Sequence, residues 1–424
     1  MNIINIHALF LKSTGVCTDT RQLKQGHLYI ALKGDNFNGN AFAKAALDKG
    51  ASAAIIDETS YLTEGCTLVD NGLQTLQALA QYHRKYLDIP IIGLTGSNGK
   101  TTTKELIHAV LSEKYTAVAT AGNLNNHIGV PLTLLSMTQN TEIGIVEMGA
   151  NHQGEIAVLC EIARPNFGYI TNFGKAHLEG FGGEEGVIKG KSELYAFLRK
   201  TKGLAFANIE DPIQLRLTED LHRVTFGPIG AQISVGMTSA NPWVCLRLED
   251  TPITSQLIGQ YNATNIAAAL AMGVHFELPS AAIKNGIEHY IPANNRSQII
   301  SKKGHTIILD AYNANPTSME AALKNLSIQT AAHKIAFLGD MYEIGPTTVA
   351  EHKHIAALAV SLGIDEVHVV GQHFFDNVIL EKNVKSYASF EDFQENFQGS
   401  NKEQSTMLIK GSRGMAMERV LDLF

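Results

Sequence analysis

The sequence predicts an α/β protein of three domains, and three observations carry that expectation. The chain has 424 residues, too many for one ordinary hydrophobic core. Beyond the first 85 or so residues, continuous apolar runs of strand length alternate with helical segments. This is the pattern of mostly parallel sheets covered by helices on both faces. The rhythm also changes twice, after "RKYLDIP" and near Pro292. The expected division is a small α/β N-terminal domain at 1–85, a central P-loop-type domain at 86–294 and a C-terminal Rossmann-like domain at 295–424.

Taken in order, "HLYIAL" and "SAAIID" read as short strands around the alanine-rich helical stretch "NAFAKAALDKGA". "IIGLTG" reads as a buried parallel strand ending at Leu94, and "KTTTKELIHAVLSEK" as a helix beginning at about Lys100. "EIGIVEMGA", "PNFGYITNFG" and "KGLAFANI" supply further central strands. In the last unit "HTIILDAYNANP", "HKIAFLGDM", "DEVHVVG" and "STMLIKGS" are four strands, separated by helices such as "VAEHKHIAALAVSLG".

Apolar residues make up 45%, charged residues 18%, and the net charge is −7. Basic residues are dispersed, which argues against a nucleic-acid partner. The 4 cysteines lie far apart without a CxxC pair, so neither a zinc knuckle nor a disulfide framework is expected, as suits a reducing cytosol. "MNIINIHALF" lacks the basic start and apolar core of a signal peptide, and "IAAALAMGVHF" is too short to span a bilayer. The expectation is a cytoplasmic protein, not inserted in a membrane.

"LTGSNGKTTTKE" carries the chemistry. Gly96 and Gly99 let the chain wrap, and the amides from Gly96 through Ser97, Asn98 and Gly99 to Thr102 form an anion nest at a helix N-terminus. Lys100 can reach the β- and γ-phosphates, and the Thr101 hydroxyl can ligate Mg²⁺. The bland alternative is a structural turn between strand and helix. A Walker loop would have glycine where Leu94 stands.

The stretch T-G-S-N-G-K-T-T instead resembles the ATP loop of the Mur ligase family, which includes folylpolyglutamate synthases. These enzymes form an amide after activating a carboxylate as an acyl phosphate. Glu147 ends "IGIVEMGA", His177 lies in "TNFGKAHLEGFG" and Lys191 in "KGKSELYAFL". Read alone, each has an ordinary use, as salt bridge, loop histidine or solvated lysine. The resemblance implies one catalytic constellation with Lys100: Thr101 and Glu147 on one Mg²⁺, His177 and Lys191 on a second. Lys191 would serve as the CO2-derived carbamate, since an ammonium with a pKa of roughly 10.4 cannot ligate a cation. The family often has glycine where Ser192 stands, and Lys189 is close by; Lys191 fits the register better.

The resemblance extends along the chain. "AGNLNNHIGVPLTLL" is close to the segment beside acceptor and γ-phosphate, which implies substrate contacts for Asn125 and Asn126, beside the bland alternative of Asx turns. "GQYNATNIAAALAMG" resembles the helix near the adenine, which implies cofactor contacts for Asn262 and Asn265, with Tyr261 replacing the commoner histidine. Arg296 in "NNRSQ" suits a bidentate phosphate contact at a domain junction. "ILDAYNANPTSM" resembles the segment of the members that act on D-alanyl-D-alanine; Asp310 would meet the ribose and Asn313 the substrate, while Ala311 departs mildly from the pattern. Lys410 in "LIKGSRGMAMERV" would also face substrate; with Asp340, Glu343 and Arg413 it could equally form inter-domain salt bridges. In "TDTRQLKQGHLYIALKGDNFNGNAF", Thr18, Asp19, Thr20, Arg21 and Lys33 match the family's region for the UDP end of the substrate.

The resemblance therefore implies an ATP- and Mg²⁺-dependent ligase of peptidoglycan precursor synthesis; a monomer is expected, although no residue pattern reads out the oligomeric state. It would join D-alanyl-D-alanine to UDP-N-acetylmuramoyl-tripeptide. The rivals are a sibling ligase adding an earlier amino acid, a folate polyglutamate synthase, a silent nucleotide-binding regulator and an unrelated kinase. "YNANP" speaks against the first two, and Lys100, Glu147, His177 and Lys191 against the third.

Overall fold

Ile91–Thr95, five buried residues in a row, forms the strand around which a nine-stranded sheet is organised. Such a run needs helices on both faces. The computed structural model describes residues 2–293, 295–377, 383–399 and 404–424, so the expected boundary at residue 294 lies outside the described residues. From one edge the strands run Ala117–Ala119, Ile143–Glu147, Ile91–Thr95, Phe167–Ile170, Leu204–Asn208 and His222–Gly227, all parallel. The order reverses beside Ile91–Thr95, because the chain leaves it for the outer strand, returns through Ile143–Glu147 and then crosses to its other side. A crevice opens at the carboxyl ends of strands at such a point. Leu94 is wholly buried and in register with Glu147 and Tyr169. The strand therefore continues past the expected end, through Thr95.

The sheet is not parallel throughout. Ile233–Ala240 pairs in parallel with His222–Gly227, then begins an antiparallel meander with Trp243–Leu248 and Thr251–Ile258. Val244, Leu246 and Leu248 point inward while their neighbours face out, the alternation of a strand with one wet face. This edge was not foreseen. The meander feeds through Gly259 into the helix Tyr261–His275, whose Ile266 and Ala268 to Met272 are fully buried. In the turn before Trp243, Asn241 Nδ2 donates to the Ile328 carbonyl, 3.4 Å away.

The first segment holds four parallel strands, Val16–Cys17, Leu28–Ile30, Ala53–Ile56 and Cys66–Leu68, and a hairpin of Lys33–Gly34 with Phe37–Asn38. The expected helical stretch is a 3-10 turn, Gly39–Phe42, followed by the helix Ala43–Asp48. The helix Gly72–Leu87 fastens this unit to the central sheet. Its Arg84 donates to the Ala163 carbonyl (3.2 Å) and to Asn166 Oδ1 (2.8 Å), and the His83 ring bonds the Met137 carbonyl at 2.9 Å.

The last segment forms a six-stranded sheet, ordered Gln298–Lys302, His305–Leu309, Ser405–Lys410, His333–Gly339, Glu366–Val370 and Val384–Tyr387. Only the first pair is antiparallel. The four expected strands and the helix Thr348–Ser361 are present. The two edge strands, half-exposed and mixed in polarity, had been missed. Among the described residues, no helix is long and apolar enough to cross a membrane.

Candidate active site

The crevice beside Ile91–Thr95 is roofed by the C-terminal sheet, and the two enclose a cavity of about 860 Å³. Its floor is the turn Gly96–Gly99 and the first residues of the helix Lys100–Leu111. Glycine is obligatory at both ends of the turn. A Cβ on Gly96 (φ +143°) would stand 2.0 Å from Thr171 Oγ1, and one on Gly99 (φ +78°) 2.6 Å from Asn265 Oδ1. Asn172 then fastens the turn, its carbonyl taking the Ser97 N–H (3.0 Å) and its Oδ1 the Asn98 N–H (3.1 Å). Those two amides are thus turned into the protein instead of an open nest, while the amides of the helix's first turn lack intrahelical partners and can meet an anion.

Lys100 Nζ donates to the carbonyls of Gly96 (2.8 Å) and Ser97 (3.2 Å). Burial pushes its pKa down, Glu147 opposes this and Arg296 adds to it. Glu147 is 1% exposed. Its Oε1 accepts from Thr101 Oγ1 (3.2 Å) and Asn125 Nδ2 (2.8 Å), and its own N–H donates to Thr120 Oγ1 (2.9 Å). Its Oε2 is buried without a partner, as is Ser97 Oγ. Among the described residues no three His, Cys, Asp or Glu side chains gather as a ready metal cage. A hydroxyl and one bare carboxylate oxygen nevertheless fit Mg²⁺, which takes most of its shell from water and phosphate.

His177 lines the cavity and its Nδ1 bonds a Glu343 carboxylate oxygen from the C-terminal sheet. Burial lowers the imidazole pKa, with Lys100 second, and Glu343 opposes. Lys191 lies behind the wall, fully buried, with Nζ donating to the carbonyl of the lining residue Ala150 (3.1 Å) and 4.8 Å above the Phe181 ring. Burial first, then Lys100, hold its pKa well below the usual lysine range.

The helix Tyr261–His275 brings Asn265 Oδ1 to the Thr103 hydroxyl (3.0 Å) and Asn265 Nδ2 to Asn262 Oδ1 (2.8 Å). The Tyr261 hydroxyl and Ser297 Oγ are 2.8 Å apart. Arg296 stacks 3.5 Å over the Tyr312 ring with its Nε buried and unpartnered. Lys410 donates to Asp310 Oδ2 (2.6 Å) and to the Asn313 carbonyl (3.2 Å). The roof reaches the floor through Asn315, whose Nδ2 donates to Asn98 Oδ1 at 2.7 Å.

Of the residues singled out in the sequence, Ser97 to Thr102, Asn125, Asn126, Glu147, His177, Asn262, Asn265, Arg296, Asp310, Asn313 and Lys410 all line this cavity. Gly96 and Lys191 lie just behind it. Asn126 also caps its own turn through the N–H groups of Ile128 and Gly129. Thr18, Asp19, Thr20, Arg21 and Lys33 are not among the lining residues. There Arg21 pairs with Asp19 at 2.7 Å, a bond that holds the Asp19 carboxyl near a pKa of about 2, and Lys33 pairs with Asp57 (3.2 Å) and Glu58 (2.7 Å). Asn172, Tyr312, Asn315 and Thr317 line the cavity without having been assigned a role. Asn315 before Pro316 carried a helix-start signal; Asn172 carried none.

Three segments match Mur ligase models: residues 12–84 the "Mur ligase family, catalytic domain", 94–273 the "Mur ligase middle domain" and 295–413 the "Mur ligase, glutamate ligase domain". A UDP-N-acetylmuramoyl-tripeptide–D-alanyl-D-alanine ligase of Bacillus subtilis is 34% identical over 96% of this chain and 92% of its own. Its counterpart in Escherichia coli is 33% identical with the same coverage. Crystal structures of MurF from Acinetobacter baumannii (28% identity) and of MurF from Thermotoga maritima in complex with ADP (27%) both superpose with a TM-score of 0.85. Each covers 98% of this chain and 97% of its own. With that agreement over nearly the whole length, the chain belongs to the Mur ligase family of ATP-dependent ligases.

Proposed function

We propose that the enzyme joins D-alanyl-D-alanine to UDP-N-acetylmuramoyl-tripeptide through an acyl phosphate, in cytoplasmic peptidoglycan precursor synthesis. One observation carries the reading: the same cavity is lined by the phosphate turn with Glu147 and by Tyr312, Asn313 and Asn315 of the "AYNANP" segment. The names of the similar ligases support it. In the first step the tripeptide's terminal carboxylate attacks the γ-phosphorus of ATP; the bond to ADP breaks and an acyl phosphate forms. The amine of D-alanyl-D-alanine then adds to the acyl carbon, and the tetrahedral adduct expels inorganic phosphate as the amine loses its proton.

Both reactants of the first step are anions. Lys100, Arg296 and the amides opening the helix Lys100–Leu111 would offset that repulsion. Thr101 and Glu147 would hold one Mg²⁺ and His177 with Lys191 a second, to neutralise charge on the transferred phosphoryl group. The depressed pKa of Lys191 favours the neutral amine, which adds to CO2 by forming an N–C bond and shedding a proton, and so becomes an anionic ligand. Asn262, Asn265 and Asp310 would hold the nucleoside, and Asn125, Asn126, Asn313 and Lys410 the acceptor and peptide ends. Residues 1–85, with Thr18, Asp19, Thr20, Arg21 and Lys33, would take the UDP end, 86–294 the ATP, and 295–424 would close over both and exclude water.

The test is direct: purified protein with ATP, Mg²⁺, UDP-N-acetylmuramoyl-tripeptide and D-alanyl-D-alanine, followed by mass spectrometry. The expected product is the pentapeptide, with one ADP per bond. Turnover with D-alanine or glutamate in place of the dipeptide, and none with the dipeptide, rejects the reading.

A further inference from the structure

His177, in a loop of the central domain, is gripped by a loop residue of the C-terminal domain, Glu343. The loop after the strand His333–Gly339 is fixed along its length before it reaches Glu343. Asp340, 2% exposed, accepts the N–H groups of His373 (2.9 Å) and Phe374 (3.0 Å). The Met341 N–H donates to His352 Nε2 (3.1 Å) and the Tyr342 N–H to Ser412 Oγ (2.9 Å). Beyond it Ile344 is buried, and a Cβ on Gly345 would stand 3.3 Å from Glu179 Cβ, two residues past the histidine.

Glu343 and His177 both adopt left-handed backbone conformations, φ +61° and +53°. Non-glycine residues hold such angles only where their surroundings over-determine them. Here the two face one another. The Glu343 carbonyl lies 3.5 Å from the Glu179 N–H, and its carboxylate has His177 as its one hydrogen-bond partner among the described residues. Lys175 secures the same seam, donating through its N–H to Thr317 Oγ1 (3.1 Å) and through Nζ to Glu351 (2.9 Å).

A carboxylate only accepts, so the hydrogen in this contact belongs to the imidazole. With Nδ1 protonated, a neutral ring carries its lone pair on Nε2, which has no hydrogen bond within the described residues. A metal-ligating histidine is commonly oriented in this way, and losing the partner costs about 10- to 100-fold in metal affinity. We infer that Glu343 is a positioning residue: it fixes His177 as the Nδ1–H tautomer with Nε2 ready for a divalent cation, and does so only when the C-terminal sheet is seated on the central one. The inference rests on the proposed role of His177 as a metal ligand.

The test uses the full-length enzyme, with Glu343→Ala, Glu343→Gln and His177→Ala variants. In metal-free protein labelled with ¹⁵N-histidine, long-range ¹H–¹⁵N spectra report the tautomer, the His177 signals being those lost in His177→Ala. The wild type is expected as Nδ1–H, Glu343→Gln likewise through its amide oxygen, and Glu343→Ala as a mixture. In EPR titrations of Mn²⁺ with a non-hydrolysable ATP analogue, Glu343→Ala is expected to bind the cation about 10- to 100-fold more weakly, with Glu343→Gln close to wild type. An unchanged tautomer or unchanged Mn²⁺ affinity in Glu343→Ala overturns the inference, as does equal weakening in both variants. If His177→Ala leaves Mn²⁺ binding intact, the inference falls because the ligand role of His177 has failed; the tautomer spectra still tell the two failures apart.

Discussion

Glu147 keeps one carboxylate oxygen bare although the residue is buried, a costly arrangement unless a cation completes it. Glu147→Gln retains an oxygen for Thr101 and Asn125 but loses the charge. It is expected to fold normally and to lower kcat by about 10²-fold or more, measured as ADP release; a kcat within a few-fold of wild type would remove Glu147 from the metal site. Lys191→Ala deletes the amine that would become the carbamate. Its activity should collapse and return in part when acetate or high chloride is added, and full activity without either would end the assignment. His368 sets a pH limit of its own. Burial pushes its pKa from 6.5 down to about 4, so between those values the unfolded chain binds a proton that the folded one refuses. Stability is then lost as pH falls from about 6.5 towards 4, at up to about 1.4 kcal/mol per pH unit, and levels off below. Urea unfolding from pH 7 to 4 should show this slope, reduced in His368→Phe, which can still stack on Phe337.

At the scale of the element, Asn315 does two things. Its Oδ1 accepts the Ser318 N–H at 2.9 Å, with Ser318 Oγ returning a bond, in a capping box for the helix Pro316–Ser327; its Nδ2 reaches Asn98. Asn315→Ala should cost about 1 kcal/mol through the lost cap. Asn315→Ser keeps a cap and loses only the reach, so it should match wild type in thermal unfolding while raising KM for ATP. Equal kinetics in the two would dissociate Asn98 from the roof. Which elements were legible follows from their surroundings. Ile91–Thr95 and Ile143–Glu147 are covered on both faces and so are apolar up to their last residues, Thr95 and Glu147. The meander and the edge strands Gln298–Lys302 and Val384–Tyr387 each have a wet side, and their mixed composition reads as loop. The site divides in the same way. Gly96, Gly99, Lys100 and Thr101 are close in sequence because one turn makes the nest. Asn172 joins it only because Phe167–Ile170 lies beside Ile91–Thr95, a proximity that no local pattern encodes.

At the scale of the whole molecule, polar contacts join the central and C-terminal domains along a seam. Lys175 faces Glu351 and Glu184 there, so Lys175→Glu sets three carboxylates against one another. It should open the seam, seen as a larger radius of gyration in solution scattering and faster proteolysis, and a nucleotide analogue with Mg²⁺ should reverse both only in part. For the wild type, ligand at about 100 times its Kd should stabilise the folded state by roughly 2.7 kcal/mol.

The Asn241–Ile328 contact at the far end of that seam has an optical consequence. The chain contains 1 tryptophan, and it is Trp243, two residues after Asn241, opening the strand Trp243–Leu248, and 36% exposed. Every photon emitted on excitation at the red edge of the protein's absorption therefore comes from beside the joint between the two lobes. The native enzyme carries its own reporter of lobe seating, free of dye and of engineered label.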